Sequence, residues 1–214
     1  MRKPRPASSP PAPRAPSRLP TDASRRLPPD KRREALLEAA LPIFARLGWA
    51  GAGTRELSRA AGVSEPILYR HFADKEGLFL AVLERAEGRV AEVLARRARG
   101  ARGAARLQAL ADGLDEILDE RLSELQVLAA AGTVAGSPAV TTAARRHLAA
   151  LGDLLGDLLK GAGLRRGVDP AVAGGLLLEL GLGAAVLVPL GVPLLARERF
   201  RAPALRLVAR AFTA

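Results

Sequence analysis

The stretch that decides the fold is TRELSRAAGVSEPILYRHFADKEGLFLAVLE, residues 54–84. Local signals alone divide it into three helical runs. Thr54 is placed to cap a first helix reaching about Ala61, and Ser64 a second reaching about Phe72. Asp74 is placed to cap a third that starts at Lys75 and continues through Leu78, Leu83 and Val90. Short side-chain oxygens at such positions accept from the free amides of a first helical turn. Gly62 supplies the left-handed conformation that a tight corner between two helices needs. The inward-facing set is Leu57, Ala61, Val63, Leu68 and Phe72, which leaves Glu65, Pro66, Ile67, Tyr69, Arg70 and His71 largely outside. A short helix that exposes so many large side chains needs a partner, and its width suits the major groove of B-form DNA.

This stretch resembles the DNA-binding domain of the tetracycline-repressor (TetR) family. The resemblance rests on Thr54, the Ala61-Gly62-Val63-Ser64 corner, Leu68-Tyr69-x-His71-Phe72 and Lys75-Glu76-x-Leu78, and extends back to Phe44 and Gly48 of the preceding helix. It covers residues 31 to about 84. It implies a sequence-specific transcriptional regulator: a ligand-responsive repressor, cytoplasmic, that binds a palindromic operator as a homodimer. By the same resemblance Thr54 contacts a phosphate, and Tyr69 and His71 form a backbone-contacting pair on the second, recognition helix.

Chemistry suggests roles for the neighbouring residues. Arg55 reaches backbone or base, and Ser64 stands at the head of the recognition helix. Lys75 adds its charge to the exposed amides at a helix N-terminus, which makes a phosphate clamp. Base reading falls to Glu65, Pro66, Ile67 and Arg70. Arg70 suits guanine O6 and N7, Glu65 the amino group of cytosine, and Ile67 the methyl of thymine. Glu65 has a second reading, as a carboxylate that complements the helix dipole.

Upstream, Leu36, Ala39, Ala40, Ile43, Phe44 and Leu47 recur at helical spacing. That helix is expected to start at Asp30 as its cap, to bend at Pro42, which cannot donate to the carbonyl of Glu38, and to end at Gly48. Trp49 reads as core. Residues 1–33 carry ten Lys or Arg against Asp22 and Asp30, so +8 of the chain's formal +11 lies there. Nine of the sixteen prolines precede residue 30. Residues 1–29 therefore read as a disordered basic arm, either a passive leader or a segment that touches DNA phosphates or the minor groove.

The chain is expected to be all-α: an N-terminal helix-turn-helix three-helix domain at 30–84, then a helical effector-binding and dimerisation domain at 85–214. Residues 97–105 (RARGARGAA) read as a joint. Helical runs are expected at 106–131, 138–160, 169–188 and 196–213. Five of seven aromatics lie between 44 and 79 and none between 80 and 199, so the second domain packs from Leu, Val and Ala. Its effector is expected to be small and aliphatic or weakly polar, since an aromatic cage for a cation is lacking there. The candidate polar contacts are Gln126, Thr133, His147 and Glu179.

Residues 174–195 hold one charge, Glu179, in 22 residues. A helix apolar all round is buried on several sides, and a two-fold partner helix is the expected cover. The length also suits a membrane span, but Glu179, five glycines, Pro189 and Pro193 stand against it. No membrane partner is expected. Glu179 reads as a pocket group or, by preference, as a seam residue with an arginine partner.

No cysteine is present, which excludes disulfides, thiolate catalysis and cysteine-type zinc sites, and suits a reducing cytosol. His71 and His147 stand far apart, and no HExxH, phosphate loop or GxSxG occurs. No enzyme activity, catalytic residue, metal site or cofactor is expected. The competing class is a helical adaptor or membrane-associated protein, which leaves Tyr69-Arg70-His71 without a role.

Overall fold

The computed structural model describes residues 28–132 and 137–190, and among these residues every regular element is a helix. The order is α1 (Pro29–Gly51), α2 (Thr54–Ala60), α3 (Glu65–His71), α4 (Lys75–Ala98), α5 (Ala104–Glu120), α6 (Leu122–Ala131), α7 (Pro138–Leu159) and α8 (Pro170–Leu187). The basic arm at 1–27, Thr133 and the run expected at 196–213 lie outside the described residues.

Helix α1 places Leu36, Leu37, Ala40, Leu41, Ile43 and Phe44 in the core. Its cap residue is Pro28 rather than Asp30, and Asp30 sits in the first turn, where its charge complements the helix dipole. Pro29 occupies the start of the helix, where a missing N–H costs nothing. The backbone stays helical through Pro42; the one departure from helical angles is Gly48, at φ 67° and ψ −179°. Gly48 thus ends the main run as expected, and one further turn reaches Gly51. The expected bend at Pro42 is replaced by this break, because only glycine tolerates that φ cheaply.

Helices α2 and α3 meet at the corner made by Gly62, at φ 66°. Leu57, Ala61, Leu68 and Phe72 are buried beneath it, and Phe44 meets Phe79 edge to face at 4.8 Å. Asp74 caps α4 as expected, accepting from the amide of Gly77. Helix α4 is continuous from the helix-turn-helix into the second half of the chain, so one element joins that motif to α5–α8.

The run expected at 106–131 is two helices. Arg121 interrupts it at φ −130° and ψ 26°. Beyond the break α6 packs against α1, α4 and α8. Helices α7 and α8 make the most extensive pairing in the bundle. Their backbones approach through glycines: a Cβ built on Gly174 would lie 2.5 Å from the amide nitrogen of Gly156 and 3.0 Å from the carbonyl of Gly152.

Helix α8 is covered on one side by its own chain. Ala173, Gly174, Gly181, Ala184 and Ala185 face the bundle, while Val172, Leu176 and Val186 are exposed, as is Leu190 just beyond the helix. Its 18 residues are long and apolar enough to cross a membrane by length and composition. Its small-residue face is nevertheless committed to α7.

Candidate functional site

The recognition helix α3 presents its outer face as the sequence indicates. Ser64, Pro66, Tyr69 and Arg70 are exposed, Glu65, Ile67 and His71 are half-buried, and Leu68 is buried. Tyr69 is 40% exposed, which removes it from the core. Ser64 stands at the cap position of α3, but its hydroxyl makes no cap bond. Among the described residues Arg70 has no hydrogen-bond or ion-pair partner, so its guanidinium is available to a ligand.

One sequence expectation is corrected here, and two further residues gain partners inside the domain. Thr54 is the first residue of α2 and not its cap, which is Gly53. Its hydroxyl instead donates to Glu65 Oε2 at 3.1 Å. Glu65 also faces Arg55, with Nε 3.9 Å from Oε1. Glu65 is therefore engaged as a clip between α2 and α3. Lys75 also has work inside the domain. Its ammonium donates to the carbonyl of Ala52 at 3.2 Å and sits 4.7 Å from the centre of the Trp49 ring. It ties the start of α4 to the α1–α2 connection, and Trp49 is its platform as well as a packing residue.

The start of α1 lies beside the recognition helix. Arg33 stacks its guanidinium 4.8 Å from the Phe72 ring centre. Burial, and then the positive charges of Arg32, Arg70 and Arg33, hold the His71 imidazole below its ordinary range. A basic end of α1 thus adjoins Arg70 and His71. The charge run Lys31-Arg32-Arg33 was visible in sequence; its position next to α3 was not.

The second half of the chain contains a small apolar cavity of about 30 Å³. Val90 and Leu94 of α4, Leu110, Ala111, Leu114 and Ile117 of α5, Leu125 of α6, Leu155 of α7, and Leu177, Leu178 and Gly181 of α8 line it. Gln126, His147 and Glu179 are not among them. Gln126 donates to the carbonyl of Ala185 at 3.4 Å, tying α6 to α8. His147 is buried, with Nδ1 2.6 Å from Glu87 Oε2 and Nε2 3.4 Å from Arg146. Glu179 is exposed on the outer side of α8, on the helical face of Val172, Leu176 and Val186. Among the described residues no cluster of His, Asp and Glu is arranged to hold a metal.

A helix-turn-helix on the end of an all-helical bundle defines a class of DNA-binding regulators. Residues 36–82 match the model of the bacterial regulatory proteins, tetR family. The HTH-type transcriptional activator FasR of Mycolicibacterium smegmatis is 52% identical over 60 residues, 28% of this chain and 27% of that protein. The HTH-type transcriptional repressor AcnR of Corynebacterium diphtheriae is 44% identical over 64 residues, 30% of this chain and 34% of that protein. The matches therefore span about a quarter to a third of these relatives. A crystal structure of AibR in complex with isovaleryl coenzyme A and operator DNA covers 82% of this chain and 96% of its own, with a TM-score of 0.64 and 20% identity. That likeness is one of fold. Residues 36–82 thus carry a likeness to the tetR family of bacterial regulatory proteins.

Proposed function

We propose that the protein is a cytoplasmic, sequence-specific transcriptional regulator that binds a near-palindromic operator as a homodimer and responds to a small apolar effector. The observation that carries this is the outer face of α3. Pro66, Tyr69 and Arg70 stand exposed together, beside the basic start of α1. A folded helix has no internal use for that face, and the major groove accepts it. Arg70 reads a base pair, Ile67 and Pro66 meet base edges, and Tyr69, His71, Thr54, Arg55 and Ser64 fix the duplex through its backbone. Glu65 holds α2 and α3 in register and keeps one lone-pair edge for a cytosine. Lys75 contributes charge from its station on Trp49.

The exposed side of α8 supports the dimer. Val172, Leu176, Val186 and Leu190 recur at spacings of 4, 10 and 4 on one face, with Glu179 among them. Such a stripe is covered well by the same stripe of a second copy. In AibR, operator DNA and isovaleryl coenzyme A occupy one complex; here the Leu- and Val-lined cavity favours a ligand with an aliphatic portion. The mode of control is repression by default, since a dimer seated on its operator blocks access to it.

Selection of bound duplexes from a random pool tests the reading. Two inverted half-sites are expected, about one helical turn apart or a multiple of it. Recovery of duplexes without a shared sequence would refute it.

A further inference from the structure

The cavity and the helix-turn-helix share a connection that lies one residue from the cavity wall on two helices. On α4, Val90 lines the cavity and its neighbour Arg89 points to α1 and α6. On α6, Leu125 lines the cavity and its neighbour Glu124 meets Arg89, with Nη1 3.1 Å from Oε1. Arg89 also bonds both carboxylate oxygens of Glu38 on α1, one of them at 3.2 Å. Arg85, one turn earlier on α4, pairs with Glu34 and Glu38. The Glu124 side chain is only 5% exposed and that of Arg89 22%. Arg121, at the break between α5 and α6, is the second cation near Glu124, at 3.7 Å.

We propose that Arg89, clasped between Glu38 of α1 and Glu124 of α6, is the positioning residue that couples the state of the cavity to the seat of the helix-turn-helix. The proposal rests on the effector role assigned to the cavity above. At about 30 Å³ the cavity has room for one or two water-sized groups. Any larger aliphatic group must part its walls, and α4 and α6 are two of them. Glu124 is nearly buried, so loss of Arg89 leaves its charge with little solvent to replace the partner. Separation of Val90 from Leu125 therefore loads the adjacent Arg89–Glu124 contact. Arg89 must then either follow Glu124, which loosens its hold on Glu38 and lets α1 shift relative to α4, or stay with Glu38 and leave Glu124 behind. Because α1 carries Arg32 and Arg33 beside the recognition helix, that shift reaches the DNA face.

The test is a double-mutant cycle on the full chain, with a duplex selected by the wild-type protein. Ala111→Leu on α5 overfills the cavity and serves as the probe. Glu124→Gln keeps the shape of the clasp while removing its charge; Arg89→Lys is the second variant, in case the first does not fold. Circular dichroism melting confirms that each variant is folded. Ala111→Leu is expected to change operator affinity about tenfold in the wild-type background, a usual size for allosteric coupling, and less than about threefold beside Glu124→Gln or Arg89→Lys. An equal change in both backgrounds overturns the clasp while leaving the cavity's role intact. No change in either background overturns both together.

Discussion

Arg70→Ala isolates sequence reading from folding. Arg70 is exposed on α3 and has no bonded partner among the described residues, so truncation leaves no buried group unpaired. Stability should therefore change by no more than is typical of surface substitutions, about 0.5 kcal/mol. A guanidinium bonded to both O6 and N7 of a guanine is worth about 1–3 kcal/mol of discrimination. That converts to a loss of roughly 5- to 150-fold on the cognate duplex. The loss should shrink on a duplex altered at the one base pair that Arg70 reads. Fluorescence anisotropy with the cognate duplex and single-position variants measures both quantities. Glu65→Gln is the contrast: it disturbs a clip between helices as well as a base contact, so it should lower the melting midpoint too. An Arg70→Ala protein with unchanged affinity and unchanged base preference would refute the assignment. An equal loss on every duplex would make Arg70 a phosphate contact instead.

Other outcomes follow from the same structure. Gly174→Ala must push apart the α7 and α8 backbones, an overpacking cost of about 1–3 kcal/mol against a helix-propensity gain of about 1. Gly88→Ala on α4 meets nothing within 4 Å and should stabilise by about 0.5–1 kcal/mol; urea midpoints that move in the same direction for both would contradict the close crossing. His71 is held below its usual range in the free protein, so its neutral form is favoured there and its stabilising contribution is lost as pH falls through that range. A nearby phosphate reverses the preference, so operator binding should take up a proton and tighten as pH falls through about 6.5, and His71→Gln should flatten that profile. Deleting residues 1–28 removes seven Lys or Arg and should flatten the dependence of log affinity on log salt, whose slope is about −0.9 per neutralised phosphate; an unchanged slope makes the arm a passive leader.

What sequence revealed and what it hid divide along a physical line. The Gly62 corner, the Asp74 cap, the Gly48 break and the outward Tyr69 and Arg70 depend on local backbone preference and helical period, and these are readable a few residues at a time. The partners of Lys75 and Glu65 are not, because Trp49 and Thr54 reach them only when the helices pack. No glycine or proline marks the break at Arg121, next to which Glu124 finds Arg89 on a different helix. The glycines of α8 were read as evidence against a membrane span, whereas Gly174 owes its place to the backbone of Gly156 on α7. The one-sided burial of α8 was hidden for the same reason: its composition is apolar throughout, and only the neighbours distinguish the two faces. Gln126, His147 and Glu179 stand away from the cavity, whose described wall is apolar, so no polar residue in the sequence pointed to it.

Hydrogen exchange of the full chain with and without its selected duplex tests the central claim most directly. The account predicts new protection at residues 54–75 and at the 31–33 start of α1, with the amides around the recognition helix slowed most. Protection confined to α5–α8, with 54–75 exchanging as in the free protein, would contradict it.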